Sequence, residues 1–287
     1  MTIFEAIILG AIQGIFMFFP VSSTSHLALA QQFLIERGSN LPAPDSAELI
    51  LFDLVVHVGT LASIGFVFRK QLKQAFRGII KELSTHRQSL TNLSIIKQTS
   101  YVRLSLLSLV SLALTGVVGL IIITSGITVV FDRPVIIAIN LIITGLLLWW
   151  TDSVREGSVD ARSFTLRLAI IIGIAQGFAL LPGLSRSGLT IAIALYLGLK
   201  RHWAATYSFF LAIPTILAAS LVQFAYVITD NEPVLTSNGA FAVAFAVAAI
   251  VGAGALTLVL TLLYRARFRI FSLYVWFLAA LVLLDII

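Results

Sequence analysis

The chain contains no cysteine, which excludes a disulfide framework, a thiolate metal site and a cysteine nucleophile. Charge is scarce as well: Asp, Glu, Lys and Arg make up 11% of the 287 residues, and hydrophobic residues make up 59%. Soluble domains sit near 25% charged and about 45–50% apolar, so no globular interior of this size hides the excess. The same composition excludes a disordered chain and a coiled coil and leaves a membrane protein. No nucleic-acid partner is implied by the net charge of +6, because 8 of the 19 Lys and Arg fall in one segment, 69–103, between hydrophobic runs. Basic residues are missing before Arg37 and Glu5 stands in the first turn. The apolar start, which ends near Ala28-Leu29-Ala30, therefore lacks the charged n-region of a signal peptide.

What is present is apolar sequence in runs of membrane length. Six runs, at about 47–68, 104–124, 135–151, 203–228, 239–263 and 268–287, are long enough or nearly so to cross about 30 Å of hydrocarbon. The third is short, with Trp149-Trp150 placed as an interfacial anchor. Two further regions, 3–34 and 165–199, are broken by Pro20-Val21-Ser22-Ser23-Thr24-Ser25-His26 and by Pro182-Gly183-Leu184-Ser185-Arg186-Ser187. Their halves are too short to span and read as re-entrant hairpins.

The segment 69–103 carries Arg69, Lys70, Lys73, Arg77, Lys81, Arg87, Lys97 and Arg103 against the single acid Glu82. The positive-inside rule makes it a cytoplasmic loop. Counting crossings from there puts Arg155, Arg162, Arg167, Lys200, Arg201, Arg265, Arg267 and Arg269 inside as well. The connections near Asp45, Asp132 and Asp230, and both chain ends, fall outside. The count works only if each interrupted region returns to the side it left.

An internal repeat accompanies this pattern. Gly10-Ala11-Ile12-Gln13-Gly14 matches Gly173-Ile174-Ala175-Gln176-Gly177, and each precedes apolar residues, a proline and a Ser-rich stretch. The following helices match through Phe52…Gly59-Thr60-Leu61 and Tyr207…Pro214-Thr215-Ile216. The alternative is chance similarity among apolar segments. A repeat of one hairpin plus three crossings inserts its second copy upside down. The expectation is an all-α integral membrane protein with an inverted-topology repeat. It forms a single membrane domain over 1–287, with repeat one at about 1–151 and repeat two at about 165–287.

Arg186 cannot shed its proton, and burying it among apolar segments costs several kcal/mol unless it finds an anion. Asp53 is one candidate partner, and a phosphate is the other. Ser185, Ser187 and Thr190, with Gly183 and Gly188, surround Arg186 with hydroxyls and accessible N–H groups that suit phosphate oxygens. The other tip offers Ser22, Ser23, Thr24 and Ser25 followed by His26. Such a tract either satisfies helix ends or supplies a nucleophile and its base facing a phosphate clamp. Asp53 and His57 are four apart on one helix face. They read equally as a mutual pair, as the counter-charge to Arg186, or as direct participants in catalysis. His86 and His202 read as interfacial, and Gly252 and Gly254 as close helix packing.

The stretch Leu181-Pro182-Gly183-Leu184-Ser185-Arg186-Ser187-Gly188-Leu189-Thr190 resembles the PGxSRSxxT signature of the bacitracin-resistance-type undecaprenyl-diphosphate phosphatases. Pro20-Val21-Ser22-Ser23-Thr24-Ser25-His26 is similar to that family's PxSSxGH stretch, with Ser25 in place of the usual glycine. The likeness extends through Phe52–Gly59 and Phe209–Pro214 and covers nearly the whole chain. It implies a multi-pass enzyme of the bacterial cytoplasmic (inner) membrane. That enzyme removes the terminal phosphate of undecaprenyl diphosphate and regenerates the undecaprenyl phosphate carrier for peptidoglycan synthesis. By position, Arg186 grips the diphosphate with Ser22, Ser185, Ser187 and Thr190, Ser23 is the nucleophile, and His26 transfers the proton. Gln13, Asp53 and His57 support them. The partners implied are the polyprenyl lipid, the bilayer and a homodimer.

One absence sets this chain apart. The family motif (E/Q)xxxE brings carboxylates for a divalent cation, Mg or Ca, but here the stretch is Gln13-Gly14-Ile15-Phe16-Met17. A thioether is a poor ligand for a hard cation, and Phe16 stands where a small polar residue is usual. The anion-binding half of the site is complete, and the metal half has Gln13 at its first position and Met17 where the second glutamate belongs. A second reading therefore stands beside hydrolysis: a translocase or binding protein that handles a phosphorylated isoprenoid without cleaving it. A third, an unrelated small-anion transporter, requires both signatures to be accidental.

Overall fold

Sequence and solvent together dictate helix here, because hydrocarbon offers backbone N–H and C=O groups no partner but one another. The computed structural model describes residues 1–43, 46–85, 100–127, 133–229 and 236–284, apart from the side chain of Thr24. Among them are eleven helices and no strand: α1 (Ile3–Phe16), α2 (Ser23–Glu36), α3 (Ala47–Val67), α4 (Arg69–Thr85), α5 (Ser100–Thr124), α6 (Pro134–Thr151), α7 (Leu166–Phe178), α8 (Arg186–Tyr196), α9 (Arg201–Thr229), α10 (Asn238–Tyr264) and α11 (Arg269–Leu283). Asp45, His86, Arg87, Lys97, Asp132, Asp230 and residues 285–287 lie outside the described residues. The protein is an all-α, multi-pass membrane protein. Helices α3, α5, α6, α9 and α10 are long and apolar enough to cross a bilayer, and α11 is shorter.

The two interrupted regions are helical hairpins, α1–α2 and α7–α8, broken at 17–22 and 179–185. Each begins on a threonine cap: Thr2 Oγ1 accepts from the Glu5 N–H, and Thr165 Oγ1 from the Leu168 N–H. The glycines shared by the two hairpins do the same packing work in each. A Cβ on Gly10 or Gly14 would lie 2.7 Å from the Ala244 carbonyl oxygen or 2.9 Å from that of Ala248, on α10. On Gly173 or Gly177 it would lie 2.5 Å from the Ser111 carbonyl oxygen or 2.5 Å from the Val118 Cβ, on α5. The first helix of each hairpin thus seats, backbone to backbone, on a membrane helix of the other half. Further cross-half packing joins α3 to α9 and α6 to α11. These contacts bring the two tips together.

One expectation is corrected. The basic segment 69–103 is not simply a loop, because α4 occupies its first half. Leu72, Phe76, Ile79, Ile80 and Leu83 recur at helical spacing among the lysines and arginines. Charge count alone hides that period.

The crossing count has a direct check. Because the chain lacks cysteine, Ser39→Cys and Ser84→Cys each introduce a single thiol. The two should react with an impermeant reagent from opposite sides of the membrane. Labelling of both from one side would overturn the topology.

Candidate functional site

The first tip is a six-residue turn in which Met17, Phe18 and Val21 are buried. Ser22 takes a left-handed backbone conformation, φ 68°, a strained choice for a residue with a Cβ. Its hydroxyl lies 3.1 Å from that of Ser25. The His26 ring holds this turn, with Nδ1 2.7 Å from the Ser22 carbonyl oxygen and Nε2 2.8 Å from the Tyr274 hydroxyl. A carbonyl only accepts, so Nδ1 carries the proton, and in the neutral ring Nε2 accepts from Tyr274. Phe16 stacks on the imidazole at 4.0 Å between centroids, and Tyr274 lies nearly parallel at 5.7 Å. Both nitrogens and one face of His26 are thereby occupied.

The second tip is clamped from α6. Asn140 Nδ2 donates to the Pro182 carbonyl at 2.6 Å, and Thr144 Oγ1 donates to the Gly183 carbonyl at 3.0 Å. Gly183 has φ 85°, and a Cβ there would meet the Ile137 carbonyl oxygen at 2.6 Å, so only glycine fits. Ser185 caps α8, accepting from the Gly188 N–H at 3.2 Å. Arg186 is the first residue of that helix.

The tips meet at the sulfur of Met17. Gln13 Nε2 points at it from 3.6 Å, Arg186 Nη2 from 3.7 Å and the Ser23 hydroxyl from 3.8 Å. Three donors converge on a weak acceptor. Among the described residues Arg186 has no carboxylate partner, and Asp53, one of its two candidate partners, is engaged elsewhere: its Oδ1 accepts from Gln31 Nε2 at 2.8 Å. Nor does Thr190 face the anion site. It is buried, donates to the Arg186 carbonyl at 2.8 Å, and lies 2.5 Å from the Ser208 hydroxyl.

A cavity of about 740 Å³ opens beside this junction. Its polar end is lined by Ser22, Ser23, His57, Ser185, Arg186 and Ser187. The remainder runs between α5 and α9, past Gly116, Gly119, Leu120 and Ile123 on one side and Ala218, Ala219 and Val222 on the other. Leu120, Ile123 and Val222 are exposed on the outer surface of the bundle, the side lipid would touch. Neither His26, Asp53, Gln13 nor Thr190 is among the lining residues. His57 is, and its ring is ordered from behind: Nδ1 lies 2.7 Å from the Asp53 carbonyl oxygen. By the same reasoning Nδ1 carries its proton, and Nε2, without a hydrogen-bond partner among the described residues, keeps its lone pair.

Sequence reasoning missed Tyr274, Asn140, Thr144 and Ser208. Asn140 gave the one available signal, a carboxamide inside an apolar run.

A resident Mg or Ca ion does not fit the donors present. Such ions take six or more oxygens, usually with carboxylates among them. Among the described residues the buried, unpartnered oxygen beside the first tip is Gln13 Oε1 on α1, and the centre of the junction is sulfur. Among the described residues no three His, Asp or Glu side chains come together.

The chain matches the family model described as "Bacitracin resistance protein BacA" over residues 6–281. It is 50% identical over 279 residues to the undecaprenyl-diphosphatase of Alkalilimnicola ehrlichii, covering 97% of this chain and 95% of that one. Identity to the undecaprenyl-diphosphatase of Halorhodospira halophila is 48%, with 99% and 98% covered. To that of Carboxydothermus hydrogenoformans it is 34%, with 99% and 97% covered.

Proposed function

Because the chain belongs to the bacitracin resistance protein BacA family, we propose that the cavity between its two hairpin tips is where a lipid diphosphate loses its terminal phosphate. The protein is an undecaprenyl-diphosphate phosphatase. One observation supports this site above any other: a single cavity joins Arg186 and four serines to an apolar channel at the lipid-facing surface. A diphosphate on an isoprenoid chain needs both ends. The halves that enclose it are an inverted-topology repeat, and the bilayer is the bacterial cytoplasmic membrane.

In this reading Arg186, with the Ser185 and Ser187 hydroxyls, holds the terminal phosphate as charge develops on its oxygens. Ser23 attacks the phosphorus. Among the described residues its hydroxyl is held only by the long contact to the Met17 sulfur, so little is lost in turning toward substrate. A new Ser23 O–P bond forms, the bond to the bridging oxygen breaks, and undecaprenyl phosphate leaves. Water then releases inorganic phosphate from the serine. The proton from Ser23 passes to His57 Nε2, the nitrogen left with a free lone pair on a ring that lines the cavity. His26 acts at one remove, fixing the strained Ser22 turn against Tyr274. No step is routed through a metal ion.

The assignment separates the two histidines. His57→Asn should lower kcat for phosphate release by about 10²-fold or more while KM changes little. Tyr274→Phe, which keeps the stacked ring but frees His26 Nε2, should cost markedly less. The reverse ranking would return the proton-transfer role to His26.

A further inference from the structure

Helix α4 presents three separate stripes along its length. The first faces α5. Glu82 accepts from the N–H groups of Ser100, Tyr101 and Val102 at 2.9–3.0 Å, capping that helix. A Cβ on Gly78 would strike the Tyr101 ring. The second stripe is apolar and bare: Phe76, Ile80 and Leu83, at spacings of four and three, are 67%, 50% and 40% exposed. The third is basic. Lys70, Lys73, Arg77 and Lys81, at spacings of three, four and four, lie side by side next to the apolar stripe, and all are exposed. The only acid on α4 is Glu82, which is already engaged.

Position in the chain decides what covers the bare stripe. α4 begins at Arg69, directly after Phe68, the C-cap of the membrane helix α3. It therefore starts where hydrocarbon gives way to water. Water does not suit three exposed large apolar side chains on one face, and hydrocarbon does not suit four cations. The boundary between acyl chains and headgroups suits both.

We propose that α4 is an interfacial helix that binds an anionic phospholipid surface, with Phe76, Ile80 and Leu83 in the upper acyl layer. Lys70, Lys73, Arg77 and Lys81 extend to headgroup phosphates, their alkyl stems lying along the apolar layer. Through Glu82 and Gly78, α4 packs against the start of α5, the helix that walls the cavity.

The cysteine-free full chain allows a direct test. Single substitutions Ile80→Cys, on the apolar stripe, and Gln74→Cys, beyond the basic stripe, each carry an environment-sensitive fluorophore. The labelled proteins are reconstituted in nanodiscs of phosphatidylcholine with and without phosphatidylglycerol. Quenching by lipid-borne spin labels should be severalfold stronger at position 80 than at 74 and should rise with phosphatidylglycerol. Raising salt from about 0.01 to about 1 M shortens the screening length from about 30 to about 3 Å and should remove that rise without any further substitution. Replacing Lys70, Lys73, Arg77 and Lys81 together with glutamine should remove it too. Equal quenching at both positions in both lipids would overturn the proposal. So would protection of position 80 in lipid-free detergent that grows with protein concentration, because a second copy of the chain would then cover the face. The readout does not involve phosphate release, so it stands or falls separately from the enzymatic reading.

Discussion

Arg186→Ala should abolish the grip on the lipid diphosphate, weakening its binding by about 100-fold or more. Hydrogen bonds to charged groups contribute about 1.5–3 kcal/mol each, and a guanidinium fork makes two of them to a phosphate. The loss in kcat should be about 10²–10³-fold again, because the donors act on charge that grows in the transition state. Arg186→Lys keeps a point charge without the fork and should fall between the two. Among the described residues the guanidinium has no carboxylate partner: its hydrogen bond is a long one to the Met17 sulfur, and Asp53 is engaged elsewhere. Direct titration with a short-chain isoprenoid diphosphate measures the binding. Unchanged affinity in Arg186→Ala would make the guanidinium structural and remove the centre of the site.

The second large effect is a gain. Gln13, Ser23 and Arg186 all aim donors at position 17, the arrangement a carboxylate would satisfy far better than a thioether. Met17→Glu should therefore create a divalent-cation site from the new carboxylate, the unpartnered Gln13 Oε1 and the Ser23 hydroxyl. Calorimetry should show no Mg or Ca binding to the natural protein and clear binding to the variant. Hydrolysis by the variant should become sensitive to chelator, by about tenfold or more, since even indirect support of a metal is worth 10–100-fold. Phe16, stacked on His26, narrows the approach and limits the rescue. Strong metal binding by the natural sequence would show that another carboxylate has taken the role.

The hairpins were legible because a proline and a serine cluster interrupt apolar runs too short to cross alone, and length is what the bilayer imposes. The shared Gly10/Gly14 and Gly173/Gly177 spacing is legible in the sequence. Its use, seating α1 on α10 and α7 on α5, is not. Helix α4 escaped because its lysines and arginines announce a membrane side more loudly than Phe76 and Ile80 announce a period. The site's supports escaped for a different reason. Tyr274, Asn140, Thr144 and Ser208 reach it from helices far away in sequence, and one polar atom in an apolar run does not say which neighbour it meets. Asp53 stays open in the sequence on the same ground: shared depth in the membrane does not fix a partner, and the structure pairs it with Gln31. Neither does a motif fix which nitrogen of which histidine is free. The Ser22 and Asp53 carbonyl oxygens each claim an Nδ1 proton, and the Tyr274 hydroxyl then occupies Nε2 of His26.

The central claim is that the cavity between the tips cleaves a lipid diphosphate rather than only holding it. The most direct measurement follows inorganic phosphate release and undecaprenyl phosphate formation by the purified full chain supplied with undecaprenyl diphosphate. The natural protein should release one phosphate per lipid over many turnovers, and Ser23→Ala should release none while still binding the lipid. Intact lipid binding with no phosphate released by the natural protein would contradict the account and leave a protein that carries or moves the lipid without cleaving it.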